Sequence, residues 1–215
     1  KSKGIPRDYS KAVQWYQKAA DQGLASAQYN IAVMYYEGEG VSQDYGKAVQ
    51  WYQKAADQDY PSAQYNLGLM YYEGEGVPQD YAKAIQWFQK AADQGKAYAQ
   101  YNLGLMYKNG EGLRHDYAKA REWFQKAADQ DLASAQASLG YMYYNGYGVR
   151  QDYAKSFELT KKAGEQGYAA AQLNLGLSYY NGYGGKPNTI TAKEWFGKAC
   201  DNGSQIGCDY YKILN

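Results

Sequence analysis

One histidine and two cysteines among 215 residues are too few for a His-rich or Cys-rich metal site, so counting alone removes that class. A surplus of one charge is missing too. The chain has 23 Lys+Arg against 22 Asp+Glu, with no excess of cations to displace phosphate counterions, and no nucleic-acid partner is expected. No apolar run approaches the roughly 18–20 residues of a membrane-spanning helix, and the mean hydropathy is −0.78. Proline occurs only 4 times. The first residue is Lys rather than Met and no charged-then-apolar leader follows, so the sequence reads as a mature or excised fragment. What is present argues for a packed protein: 45% of residues are hydrophobic, which excludes a disordered charged tail, and 27 are Tyr.

The sequence repeats itself every 36 residues. Trp15, Trp51, Trp87 and Trp123 keep this step, which breaks at Leu159 and resumes at Trp195. Asp8, Asp44, Asp80, Asp116 and Asp152 keep it too, each followed by Tyr. So do Gln28, Gln64, Gln100, Gln136 and Gln172, and the glycines Gly38, Gly74, Gly110, Gly146 and Gly182. No insertion disturbs the register. The expected units are 8–43, 44–79, 80–115, 116–151, 152–187 and 188–215 within one repeat domain. Gly4 to Tyr9 align with Gly76 to Tyr81, so residues 1–7 are expected to be a loop from a preceding repeat.

Each unit reads as a pair of helices. Between Asp44 and Gln58, the residues Ala48, Trp51, Tyr52, Ala55 and Ala56 fall at helical spacing, with Lys, Gln and Asp opposite. The Asp is suited to cap the amino end, where orphan amides and the helix dipole favour a carboxylate. A second helix is expected from Ser62 to Glu73, ended by Gly74-Glu75-Gly76, because glycine takes the left-handed conformation there without strain. Neither helix buries its apolar side alone, so successive pairs must stack. Trp51 is expected to be a large buried side chain in that core.

The segment AQYNLGLMYYEGEGVPQDYAKAIQWFQKAADQG, Ala63 to Gly95, resembles the Sel-one-like repeat, a relative of the tetratricopeptide repeat. The resemblance covers nearly the whole chain. It implies an all-α, right-handed α/α solenoid superhelix of about six repeats, and a role as an adaptor or scaffold, often in bacterial envelope and host-interaction settings. It also implies that the helix carrying the YNLG motif lines the concave face.

On that helix the positions i, i+4 and i+7 share a side. They are Tyr29, Val33 and Tyr36; Tyr65, Leu69 and Tyr72; Tyr101, Leu105 and Lys108; Ala137, Tyr141 and Tyr144; and Leu173, Leu177 and Tyr180. Asn30, Asn66, Asn102 and Asn174 run beside them, with Ser138 breaking the series. One reading is that the stripe only seals packing between neighbouring units. The other is that it binds a peptide or protein, tyrosines acting as rigid anchors and asparagines as donors and acceptors for a peptide backbone. The second is preferred, because Ala63, Leu67 and Met70 with Ala48, Trp51 and Ala55 already supply a core. Two units depart from the pattern: Ala137-Ser138 replaces YN in the fourth, and Ser156, Leu159 and Gly164 replace Ala, Trp and Ala in the fifth.

Cys200 falls in the last turn of one helix and Cys208 at the start of the next, at the places of Ala56 and Gln64. These positions are expected to meet across the hairpin, as a bridge or as two buried thiols. The family's cysteine-rich branch bridges cysteines at this offset. That resemblance implies a disulfide adding roughly 2–3 kcal/mol and an oxidising location, periplasmic or secreted.

Signals for chemistry are weak. His115 replaces a loop Gln and has no repeat equivalent, so it reads as an exposed substitution rather than a catalytic base. The cysteine-rich branch has been associated with β-lactam binding, but no Ser here has a Lys three positions later. Gly182 to Lys186 imitates a phosphate loop only superficially, since Tyr180 and Pro187 stand where Gly and Ser or Thr are needed. The pairs Glu37/Glu39 and Glu73/Glu75 read as solvated loop charges. Residues 8–79 carry nine acidic and four basic groups, whereas residues 80–187 carry ten and thirteen. The expected function is a non-enzymatic, cofactor-free scaffold for a peptide or protein partner. The alternatives are an envelope β-lactam binder or hydrolase, and an assembly module self-associating through its ends.

Overall fold

A computed structural model describes residues 8–183 and 186–214, which contain twelve α-helices and no strand. The stretch 1–7, expected to be a loop, lies outside the described residues, as do Gly184 and Gly185 of the phosphate-loop comparison. The chain divides into two compact units, Lys1–Ala99 and Gln100–Asn215. The first holds α1 (Tyr9–Asp21), α2 (Ala25–Glu37), α3 (Tyr45–Ala56), α4 (Pro61–Glu73), α5 (Tyr81–Asp93) and the start of α6 (Ala97–Asn109). The second holds the rest of α6, then α7 (Tyr117–Ala128), α8 (Ala133–Asn145), α9 (Tyr153–Glu165), α10 (Ala169–Asn181), α11 (Thr189–Asp201) and α12 (Gln205–Ile213). From α1 to α5 and from α7 to α12, each helix packs on the next in chain order. The architecture is an all-α repeat solenoid.

The repeating residues set the helix ends. Asp44 accepts the Lys47 amide at 2.9 Å, and Asp8, Asp80, Asp116, Asp152 and Asn188 cap their helices in the same way. Gly74 closes α4 at φ +78°, as Gly38, Gly146 and Gly182 close their helices. Two residues on, a Cβ at Gly76 would lie 2.6 Å from the Tyr45 carbonyl oxygen, so this loop presses directly against the start of α3.

Ala48, Ala55, Ala63, Leu67 and Met70 are buried as expected, but the Trp series does not form the centre of the core. Trp15 is 70% exposed and Trp51 is partly buried, bridging two apolar clusters at the surface, whereas Trp195 at the other end of the series is buried. The buried ring is the next residue: Tyr52, Phe88, Phe124 and Phe196 are all at most 2% exposed. A helical step of about 100° explains the difference, since it turns one neighbour inward and leaves the other on the seam. Lysines cover the seam. Lys54 lies 3.8 Å from the centre of the Trp51 ring, and Lys90, Lys126 and Lys198 sit likewise over Trp87, Trp123 and Trp195.

The buried glutamines form a ladder. The side-chain amide of Gln64 donates back to the Ala56 carbonyl, and its oxygen accepts from Gln94 at 2.8 Å. Gln58 donates to Gln28, Gln130 to Gln100, Gln166 to Gln136 and Asn202 to Gln172, always across 30 residues. The joined Cys200 and Cys208, with Cα atoms 4.5 Å apart, occupy the places taken by Gly164 and Gln172 one repeat earlier. A covalent link there replaces the hydrogen bond across the hairpin.

Truncating a fully buried ring removes transfer energy and leaves a cavity, so Phe88→Ala is expected to cost about 3–5 kcal/mol in denaturant unfolding, with Trp51→Ala clearly less. Lys54→Ala is itself expected to lower stability slightly, through loss of the contact over Trp51. Gln64→Leu removes the bond from Gln94 and the side-chain bond to the Ala56 carbonyl, which keeps the Asp59 amide at 3.0 Å. Its expected cost, by the same measurement, is about 1–3 kcal/mol.

Candidate functional site

The stripe residues are shared between packing and an open face. In the first unit, Tyr29 of α2 lies 5.8 Å from the Tyr52 ring and 5.3 Å from Tyr60. Tyr65 of α4 lies 5.9 Å from Phe88 and 6.2 Å from Tyr98. Tyr36 and Tyr72 meet Tyr45 and Tyr81, the first residues of the following helices, at 5.2 and 5.4 Å. In this unit α2 and α4 thus lean their tyrosines on α3 and α5. The stripe does seal neighbouring units, and the partly buried rings still form the walls of cavities.

One such cavity, of about 560 Å3, opens between α2, α3 and α4. Its apolar floor includes Val33, Leu69, Met70 and Tyr52, and Glu37, Glu73 and Glu75 stand on its rim. Asn66, expected to offer donors and acceptors to a partner, donates to the Tyr52 hydroxyl at 3.0 Å, and Tyr29 also hydrogen-bonds to it. Tyr36 donates to Glu75 at 2.9 Å, across 39 residues. That bond, with burial and the negative charge of Glu75, pushes the Tyr36 hydroxyl up to about 12. Burial also raises Tyr52. The acidic pairs therefore include a carboxylate engaged in the site. No local pattern signals this contact, because Tyr36 and Glu75 belong to different repeats.

In the second unit, Tyr101 lies 5.6 Å from Phe124 and, with Leu105, packs partly buried against the core around Leu139. Asn102 of α6, like Asn30 of α2, is partly buried. Tyr141, Tyr144, Asn174 and Leu177 share the wall of a second cavity. Tyr180 is exposed and faces Tyr210 at 6.5 Å. His115 is exposed and meets the edge of Tyr117 at 4.2 Å. Among the described residues, no helix is long and apolar enough to cross a membrane.

Stacked helix pairs with aromatic-walled cavities along their second helices are the build of a helical-repeat interaction module. The chain belongs to the Sel1 repeat family, whose model matches residues 1–24, 25–60, 61–96, 97–132, 133–168 and 169–204. Proteins of this family generally act as non-catalytic scaffolds for protein interactions. No curated protein matches the chain in sequence. Among solved structures, it is similar to a protective antigen present in uropathogenic Escherichia coli strains, with 40% identity and a TM-score of 0.88. That match covers 99% of this chain and 45% of the antigen, so the chain spans less than half of that relative's length. A Sel1 repeat protein from Oxalobacter formigenes is 36% identical over 93% of this chain and 81% of its own, also at 0.88. The Helicobacter pylori cysteine rich protein B is 27% identical over 61% of this chain and 94% of its own, at 0.50.

A raised hydroxyl pKa favours the folded state while the group stays protonated. The Tyr36 contribution is therefore complete below about pH 10 and lost as pH climbs toward about 12. Melting temperatures across that window should fall more steeply for the parent chain than for Tyr36→Phe. Equal slopes would show that the Tyr36–Glu75 bond does not hold the two repeats together.

Proposed function

We propose that this chain is a non-enzymatic scaffold that holds a peptide segment of a partner protein on the face of its second helices, the face that the tetratricopeptide resemblance makes concave. The observation that carries this reading is the cavity of about 560 Å3 in the first unit. It combines an apolar floor at Val33, Leu69 and Met70 with a carboxylate rim at Glu37, Glu73 and Glu75, and this combination suits a peptide that inserts an aliphatic side chain beside a Lys or Arg. The negative balance of residues 8–79, nine acidic groups against four basic, favours the same partner. Tyr29 and Tyr36 frame the entrance and are held by their own contacts, so little ordering remains to be done on binding. The joined Cys200 and Cys208 support a periplasmic or secreted setting, where such bridges persist.

Selection of phage-displayed random peptides on the pure protein supplies a defined ligand, and fluorescence anisotropy of the best peptide measures its affinity. Selected sequences should pair an aliphatic residue with Lys or Arg. Leu69→Glu should weaken binding roughly thirtyfold or more, as loss of a central anchor does, with helicity unchanged. Glu73→Lys should slow association and remove its salt dependence. If the selected peptides bind Leu69→Glu as they bind the parent, the surface lies elsewhere and the reading fails.

A further inference from the structure

Three of the junctions between repeats are built around two rings. A buried ring on the first helix (Tyr52, Phe88, Phe124) is overlaid by a tyrosine from the preceding second helix (Tyr29, Tyr65, Tyr101) at 5.8, 5.9 and 5.6 Å. At the junction of α8 with α9 both are missing together. The buried position is Thr160 and the overlying position is Ala137. A Cβ at Gly140 of α8 would lie 2.8 Å from Thr160 Oγ1, while at Gly68, Gly104 and Gly176 it would meet the rings of Phe88, Phe124 and Phe196 at 2.5 to 2.6 Å. Beside Thr160 a cavity of about 230 Å3 opens, lined by Ser156, Phe157 and Thr160 of α9 and by Asn174 and Leu177 of α10.

We propose that this cavity takes a tyrosine side chain from a partner peptide; the inference rests on the scaffold reading and adds a second anchor to it. Its size lies below the ~300–1,000 Å3 of ordinary small-molecule sites and suits a single side chain. Its walls are aromatic: Tyr144 meets Tyr153 and Tyr183 edge-on at 5.4 and 6.2 Å, and Tyr141 flanks them. Tyr141, Tyr144 and Tyr183 are among the exposed large side chains, so the mouth is open to solvent.

Where the overlying tyrosine is absent at another junction, a ring from another element covers the buried one. At the next junction the overlying residue is Leu173, and Phe196 is instead stacked by Tyr210 of α12 at 4.8 Å and 15°. Asn174 narrows the choice to tyrosine. Its equivalent in the second repeat, Asn66, donates to the Tyr52 hydroxyl at 3.0 Å, whereas beside Asn174 the phenol is replaced by Thr160. Thr160 and Ser178 donate their own hydroxyl hydrogens to the carbonyls of Ser156 and Asn174, at 2.7 and 2.8 Å. The Asn174 side-chain amide is therefore a donor at the wall suited to a phenolic oxygen, beside the tyrosine hydroxyls.

The probes are N-acetyl-tyrosinamide, N-acetyl-phenylalaninamide and N-acetyl-leucinamide, titrated while the methyl resonances of Thr160 and Leu177 are followed by NMR. The tyrosine amide should shift both saturably, the phenylalanine amide several-fold more weakly, and the leucine amide least. Thr160→Phe and, independently, Ala137→Tyr each refill the vacancy, so both should abolish the shifts while melting no lower than the parent chain. Asn174→Ala should bring the tyrosine amide down to the level of the phenylalanine amide. Three results would overturn the proposal: no saturable shift, equal binding of the leucine amide, or unchanged binding in folded Thr160→Phe. Sedimentation that shows a dimer lost in Thr160→Phe would assign the cavity to a second copy and would overturn it too. Leu69→Glu should leave these shifts untouched, so failure here and failure of the first-unit site are read separately.

Discussion

The buried glutamine of each repeat is the constraint on which the rest depends. A carboxamide removed from water must satisfy both its donor and its acceptor inside the protein or cost about 1–3 kcal/mol. Gln64 does so by reaching a carbonyl eight residues back and accepting from Gln94, 30 residues on. Both offsets are fixed lengths of chain, so an insertion in either helix or either turn would leave two polar groups unpaired. The unbroken register over the whole sequence is the visible result. The last hairpin keeps the same geometry by other means: at Cys208 a sulfur replaces the amide, which removes the need for a donor from a following repeat.

The local parts of this fold were legible in the sequence. The Asp caps, the glycine stops and the alanine faces belong to single helices, and 3.6-residue periodicity reads them directly. Features that join repeats were harder. The Trp series draws attention by its regularity, yet Trp51 covers the seam under Lys54 while Tyr52 beside it is buried. Amphipathic spacing admits both residues, and only the angle of the neighbouring helix decides between them. Asn66 looked like a donor awaiting a partner because its acceptor, Tyr52, sits on the preceding helix. Glu75 looked solvated because Tyr36 approaches it from the previous repeat.

The tyrosine stripe shows why packing and binding need not be alternatives. Each ring spends one face on the next helix and leaves an edge or hydroxyl at the surface. A residue so held has little rotamer freedom left to lose, which makes it a better anchor than an unsupported exposed ring. Substituting it tests both roles at once. That is why Leu69 and the rim carboxylates, which line the first cavity, separate the roles better than Tyr65, whose ring packs on Phe88.

A periodic fold has a further consequence for specificity. Identical junctions would offer a partner the same chemistry at every step and no reason to choose one register over another. Selectivity must therefore come from places where the period fails. In the first unit the distinguishing feature is charge, with Glu37, Glu73 and Glu75 on one rim. In the second it is the absence of two rings, at Ala137 and Thr160, beside an open aromatic-walled cavity. On the reading proposed above the first suits a cation and the second an aromatic side chain, so a peptide carrying both would meet different chemistry in the two units. In the sequence the departures at Ala137, Ser138 and Ser156 appeared to weaken a continuous face. In the structure they are where that face acquires a shape of its own.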